Sequence, residues 1–238
     1  MRHFLIRGIV GAGKTKAAKY IAVKYDGLRL STDRARREVR FRDSVRYGDK
    51  FREDPAFRAQ QVFAYELMLA AARRVSDTER AVQEAVDYVP VFCDKLYNKD
   101  GRRDDFRMIL SPSEKDMSVN YLQNKIAVSC DTVVCESTFN RREFIDRFCS
   151  FIKPYIIDVG APDSKIRKRL SLPRPESDES EAGLPVYERL LPNWKSAMNI
   201  GYHSHCIEND GSERELEKKI ELTLKNIANC MKCKNKNK

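Results

Sequence analysis

The sequence predicts an α/β fold: a parallel sheet covered by helices on both faces, three layers deep, in a single domain over residues 1–238. Three observations carry the prediction. Short apolar runs alternate with helical patterns along most of the chain, as parallel strands joined by crossover helices do. The first run, RHFLIRGIV, enters a glycine-rich turn that opens directly into a helical pattern, GKTKAAKYIAVKY. The stretch between the second apolar run and the next buried one exceeds a single crossover helix, which predicts an acceptor-side insertion at about 76–118.

Taken in order, the first helix carries Ala17, Ala18, Ile21 and Ala22 at helical spacing. LRLS at 28–31 reads as the second strand, and Asp33 reads as the cap of a basic helix, DRARREVRF. PAFRAQQVFAYELMLAAARR has proline in its first turn and Phe63, Leu67 and Ala70 on one face. Ser76 and Glu79 have capping-box spacing for a helix ending near Val89, after which VFCDKLY and FRMIL read as two strands around the turn NKDG. SPSEKDMSVNYLQNKIAVS is helical, DTVVCE a strand, NRREFIDRFCSFI a helix, YIIDVG a strand and PDSKIRKRL a short helix. LPRPESDESEAGLP is an exposed loop, and 166–185 reads as a lid. VYERLLPNWK is a turn or two of helix, IGYHSHCIEN a last strand, and Ser212 with Glu215 boxes the N-terminus of a final helix; the basic tail 231–238 is expected to be disordered.

Composition narrows the function. No apolar run reaches the ~20 residues needed to cross a bilayer, and the N-terminus lacks a secretory pattern, so a soluble, cytoplasmic protein is expected. Seven cysteines, an odd and scattered set, fit reduced thiols better than a disulfide frame. His203, His205, Cys206, Cys230 and Cys233 fit no common zinc spacing, and ordinary thiols are the favoured reading. The formal net charge of +10 favours phosphate-rich partners, nucleic acid above all, although solvated basic faces produce the same excess.

The motif with the most chemistry is GIVGAGKT, where Gly8, Gly13, Lys14 and Thr15 satisfy Gly-x-x-x-x-Gly-Lys-Thr. Such a loop turns backbone N–H groups onto phosphate oxygens. Lys14 neutralises the β and γ oxygens, the Thr15 hydroxyl is placed to ligate Mg²⁺, and the helix dipole adds positive potential. Gly8, Gly11, Ala12, Gly13, Lys14, Thr15 and Lys16 are therefore the expected binding residues for a nucleoside triphosphate, ATP, with Mg²⁺.

Three further segments favour transfer to a hydroxyl over hydrolysis. In STDRARREVR, Asp33 at a strand end is placed to accept a hydroxyl proton, and Arg36 one turn later can hold an acceptor phosphate; the alternative is that Asp33 only caps its helix. In VVCESTFNRR, Glu136 ends an apolar strand where a carboxylate meets magnesium or its waters, followed by Thr138, Asn140 and Arg141; the bland alternative is a buried strand and a capped helix. In KIRKRLSLPR, Arg167, Arg169 and Arg174 precede a stretch able to close over the transferring phosphoryl group, or else form a solvated basic helix.

GIVGAGKT, STDRARR, VVCESTFNRR and GAPDSKIRKRL, in that order, resemble the polynucleotide-kinase and zeta-toxin branch of the P-loop kinases, over roughly residues 3–75 and 119–190. The resemblance implies a P-loop NTPase fold with a kinase-type lid. It also implies Asp33 as general base, Arg36 on the acceptor phosphate, Lys14 and Thr15 on the triphosphate and Mg²⁺, and Arg169 in the lid. Glu136 stands where the family usually has Asp, and Pro173 where it has a second lid arginine, with Arg174 adjacent. The resemblance and the basic composition together predict transfer to the 5′-hydroxyl of a polynucleotide, with Phe41, Tyr47 and Phe51 as candidate stacking residues or core. A small-molecule kinase and a catalytically decayed nucleotide-binding protein are the alternatives.

Overall fold

The computed structural model describes residues 1–39, 54–98, 106–139, 141–173 and 182–236, with side chains described as far as residue 229 of the last helix. In chain order the elements are β1 (Arg2–Arg7), α1 (Lys14–Lys24), β2 (Leu28–Ser31), α2 (Thr32–Val39), α3 (Pro55–Arg73), α4 (Thr78–Tyr97) and α5 (Pro112–Ile126). There follow β3 (Thr132–Glu136), α6 (Arg142–Phe151), β4 (Tyr155–Gly160), α7 (Asp163–Ser171), α8 (Leu184–Leu190), β5 (Ser204–Glu208) and α9 (Glu213–Lys236). The chain forms two compact units: Met1–Arg29 with Cys130–Pro175 and Ala182–Lys238, and a second centred on Leu30–Ser129.

The five strands form a parallel sheet in the order β2-β3-β1-β4-β5, flanked by helices, which is the α/β arrangement expected. The central strand β1 pairs with β3 (Ile6 opposite Glu136) and with β4 (Arg7 opposite Asp158). Strands covered on both faces must be apolar throughout, and Phe4, Leu5 and Ile6 are all buried. One face carries a core of Phe4, Ile6, Val134, Ile157 and Val159 under Ala17, Ala18 and Ile21 of α1 and Leu216, Ile220 and Leu224 of α9. The predicted Ser212–Glu215 box is present: the Ser212 N–H donates to Glu215 at 2.6 Å, and the Glu215 N–H donates to the Ser212 hydroxyl at 3.3 Å.

The second unit is helical, and α3 is its hub. Val62 to Ala72 are all buried, so this helix is covered on every side by its neighbours. The Asp54 side chain caps α3 by accepting from the Ala56 N–H at 2.8 Å. Arg74 closes it in the left-handed region at φ 53°, a conformation costly for a residue with a side chain. Its guanidinium donates to the carbonyls of Ile126, the last residue of α5, and of Val128 just beyond it, at 2.8 and 2.6 Å, which fixes it there.

Four expectations are corrected here. VFCDKLY is not a strand but the second half of α4, which runs through Pro90. Proline deletes one helical hydrogen bond at a cost of about 3 kcal/mol, but Val82, Ala85, Val89, Phe92, Cys93 and Leu96 keep one apolar stripe buried along the whole helix, and that burial prevails. FRMIL is irregular backbone: Phe106 and Met108 are buried in alternation, yet among the described residues no strand lies alongside to accept a ladder, and the Phe106 ring instead packs at a tilt against Tyr97. The cap of α4 is Asp77, which accepts from the Arg80 N–H at 3.0 Å, rather than Ser76. Asp33 likewise lies in the first turn of α2, one residue inside its start at Thr32, not at a cap.

Candidate functional site

In a sheet of this order, ligands sit outside the carboxyl ends of the strands where the chain direction switches, here at β1 and β3. Gly8 follows the end of β1, and Glu136 ends β3. The loop between β1 and α1 approaches the sheet so closely that a Cβ on Gly8 would lie 2.3 Å from the Val159 carbonyl oxygen. Gly13 caps α1 with φ 104°, and a Cβ there would lie 2.2 Å from the Asn209 side-chain nitrogen. Both glycines are thus required by backbone approach and conformation.

Within this first unit the predicted residues converge. The Thr15 hydroxyl donates to Glu136 Oε1 at 2.6 Å. The carboxylate is 5% exposed, and its second oxygen accepts from Arg29 Nε at 2.7 Å. Lys14 Nζ donates to the Ile9 carbonyl at 3.1 Å, within the loop itself. Lys16 points along the α1–α9 seam, where its ammonium meets Glu213 at 2.8 Å in a largely exposed pair.

Arg169, on the last turn of α7, reaches the same loop: its Nη1 donates to the Gly11 carbonyl at 3.3 Å and its Nη2 to the Asn209 carbonyl at 3.0 Å. Burial lowers its pKa from the ordinary arginine value. Behind it Ile9, Ala12, Ile166 and Tyr187 form one apolar cluster, which seats α7 and α8 on the loop. Arg167 faces elsewhere and joins the two helices through Asp163 at 2.9 Å and Glu188 at 2.7 Å. Burial and its bond to Asp163 push the Tyr187 phenol up to about 12. Arg174 and Asn140, with the candidate stacking residues Phe41, Tyr47 and Phe51, lie outside the described residues. Thr138 follows β3, and Arg141 stands at the N-terminus of α6 without a side-chain cap bond.

Asp33 and Arg36 belong to the second unit, on α2. The Arg36 guanidinium donates to the Asp33 carboxylate, an i,i+3 pair in which Asp33 is 35% exposed and Arg36 13%. One turn further along α2, Arg37 and Glu38 line a cavity of about 420 Å³ whose other wall is α5, with Met117, Asn120, Tyr121 and Asn124. Glu38 is tied to Lys125 of α5 at 2.9 Å.

Two residues of the first unit escaped the sequence reading. Arg29 sits in LRLS, where alternation marks only a strand; the signal was a charge inside an otherwise apolar run. Asn209 closes the last strand in IEND, a segment read only as a strand end. No group of His, Cys, Asp and Glu able to hold a metal occurs among the described residues. His203 and His205 stack edge to face with centroids 5.3 Å apart, Cys206 is exposed, and the side chains of Cys230 and Cys233 lie outside the description. Burial pushes the Cys135 thiol, next to Glu136, well above the ordinary range, which makes it a poor nucleophile. Among the described residues, no helix is long and apolar enough to cross a membrane.

The Thr15–Glu136 pair suits a small hard cation: a hydroxyl and a carboxylate oxygen, side by side at the glycine-rich loop, are the donor types Mg²⁺ takes. Neither a family model nor a curated protein matches the chain. Among solved structures it is similar to a sugar kinase from a Janibacter species, at 13% identity over 94% of this chain and 95% of that one, with a TM-score of 0.45. It is also similar to a gluconokinase from Sinorhizobium meliloti, at 10% identity over 98% and 97%, TM-score 0.49. A third similarity is to a Thermus thermophilus protein, at 17% identity over 94% and 97%, TM-score 0.45.

Proposed function

We propose that this chain is an ATP- and Mg²⁺-dependent phosphotransferase whose acceptor is an alcohol, the 5′-hydroxyl of a polynucleotide. The observation that carries the reading is the contact between the Thr15 hydroxyl and the Glu136 carboxylate at 2.6 Å: the loop threonine and the strand-end acid that a nucleotide-bound cation needs come together from positions far apart in the chain.

In this reading the N–H groups of Gly11 to Thr15 and the Lys14 ammonium hold the β- and γ-phosphates. Thr15 and Glu136 hold Mg²⁺, which when bound supplies neutralising charge to the phosphate oxygens, while Arg29 keeps the second Glu136 oxygen occupied and so orients the first. Asp33 takes the proton of the acceptor hydroxyl as that oxygen bonds to the γ-phosphorus; the bond to the β,γ-bridging oxygen breaks, and ADP leaves with the electron pair. Arg36 binds a phosphate on the acceptor, and Arg169 with Arg174 serves the lid. The second unit, which contains the 76–118 stretch, handles the acceptor.

The polynucleotide is favoured by the net charge of +10. A second reading, a small-molecule kinase, is favoured by the cavity of about 420 Å³ beside α2, a size that holds one small ligand. The test is transfer of labelled γ-phosphate to 5′-hydroxyl oligonucleotides beside a panel of sugars, nucleosides and aminoglycosides. Labelled oligonucleotide is the expected result. Label on small molecules alone removes the polynucleotide claim, and ATP binding without transfer to anything leaves a nucleotide-binding protein.

A further inference from the structure

The structure points to Asn209 as a positioning residue for the phosphate loop, an inference that rests on the nucleotide reading above and goes beyond its assigned residues. Asn209 follows β5 directly and is 5% exposed. Its backbone N–H donates to the Gly160 carbonyl at the end of β4, at 2.7 Å. Its side-chain Nδ2 donates to the Ala12 carbonyl at 2.8 Å, and its own carbonyl accepts from Arg169 Nη2 at 3.0 Å. One buried residue therefore touches the sheet, the loop and the lid arginine, which itself holds the neighbouring Gly11 carbonyl.

Peptide geometry says what this contact does. In a trans peptide the C=O and the following N–H point in opposite directions. Holding the Ala12 carbonyl toward Asn209 therefore aims the Gly13 N–H to the other side. The orientation of that unit is set by ψ of Ala12 and φ of Gly13, and Gly13, at φ 104°, accepts either sign of φ at little cost, so the local sequence does not by itself choose the orientation. The Asn209 amide makes the choice. The fit is mutual, because only a missing Cβ at Gly13 leaves room for the Asn209 nitrogen. Asn209 thus fixes one of the N–H donors on which anion binding depends.

The experiment is binding of inorganic tripolyphosphate, which reads the loop without a base or an acceptor, by calorimetry on the full chain. Asn209→Asp keeps the shape and replaces the donor by an oxygen that opposes the Ala12 carbonyl. The expected result is a Kd raised on the order of tenfold, a displaced Gly13 amide resonance in ¹⁵N-labelled protein, and a raised KM for ATP at near-constant kcat. A purely structural role would instead lower the unfolding midpoint and leave Kd and the Gly13 resonance of the folded fraction as in wild type, which overturns the inference. If Asn209→Asp does not fold, Asn209→Ser is read the same way. Wild-type protein that ignores tripolyphosphate overturns both the nucleotide reading and this one. Wild-type protein that binds it, loses binding with Asn209→Asp and transfers phosphate to nothing leaves Asn209 in place and removes only the kinase.

Discussion

The two units hold their functional side chains in opposite ways. In the first, three contacts to the phosphate loop span long stretches of chain: Thr15 to Glu136 is 121 residues, Gly11 to Arg169 is 158 and Ala12 to Asn209 is 197. In the second, Asp33 is held by Arg36 three residues away, a partly exposed pair of the kind worth little in stability. A loop that must present fixed dipoles to a polyanion is rigid before the ligand arrives. A carboxylate that must give up its partner to take a proton is held only loosely. This contrast predicts that first-unit substitutions damage nucleotide binding, while those on α2 damage transfer alone.

The largest effect is expected at Lys14. Lys14→Ala should cut transfer by about 10³-fold or more and weaken ATP binding together, since the same charge serves bound nucleotide and transition state. Asp33→Asn comes next and should split the two: transfer falls by roughly 10²–10⁴-fold, while the Kd for ATP, measured by calorimetry, stays at the wild-type value. Equal turnover of Asp33→Asn and wild type would mean that the Arg36 pair is the whole role of Asp33, and the contrast between the units would lose its functional meaning.

Arg29 sharpens the first-unit side of the comparison. Its bond to Glu136 is buried, with side chains 10% and 6% exposed. Removing one member of such a pair leaves an uncompensated charge and costs about 3–5 kcal/mol. Arg29→Met should therefore lower the unfolding midpoint without metal, and Mg²⁺ should restore more stability to the variant than it adds to wild type, because Glu136 then has no competing cation. Equal Mg²⁺ stabilisation of both proteins would remove Glu136 from the metal site.

What the sequence disclosed follows from the range of the interactions involved. GIVGAGKT was legible as the turn between β1 and α1 because the close approach at Gly8 and the left-handed cap at Gly13 demand glycines only a few positions apart. The strands of the sheet were legible because burial on both faces forces continuous apolar runs such as FLI and VVC. The second half of α4 was misread because a proline and β-branched residues outweigh the helical stripe until α3 is there to cover it. Arg29 and Asn209 were passed over for a related reason: each acts through a partner more than 100 residues away, and neither the charge within LRLS nor anything in IEND names that partner. Asp33 was legible as a residue but not as a state, since its pairing with Arg36 depends on where α2 begins.

The smallest effect, and the one that bears on the acceptor, is expected at the cavity beside α2. Asn120 and Asn124 are one turn apart on α5 and line the same cavity as Arg37, Met117 and Tyr121. Residues four apart on a helix are neighbours, so Arg37 lies one turn beyond Asp33 on the same face of α2. That distance is about the separation between an acceptor hydroxyl and the rest of a small acceptor. Each amide offers both donor and acceptor, and one such hydrogen bond is worth roughly 0.5–1.5 kcal/mol, or about 2- to 12-fold in affinity. Asn120→Ala and Asn124→Ala should each raise the acceptor KM by that factor, with the ATP Kd and the unfolding midpoint unchanged because both side chains are exposed. An oligonucleotide acceptor whose KM ignores both substitutions would place its contacts away from this cavity. A small-molecule acceptor whose KM responds to both would make the second unit a pocket for a single ligand and favour the second reading.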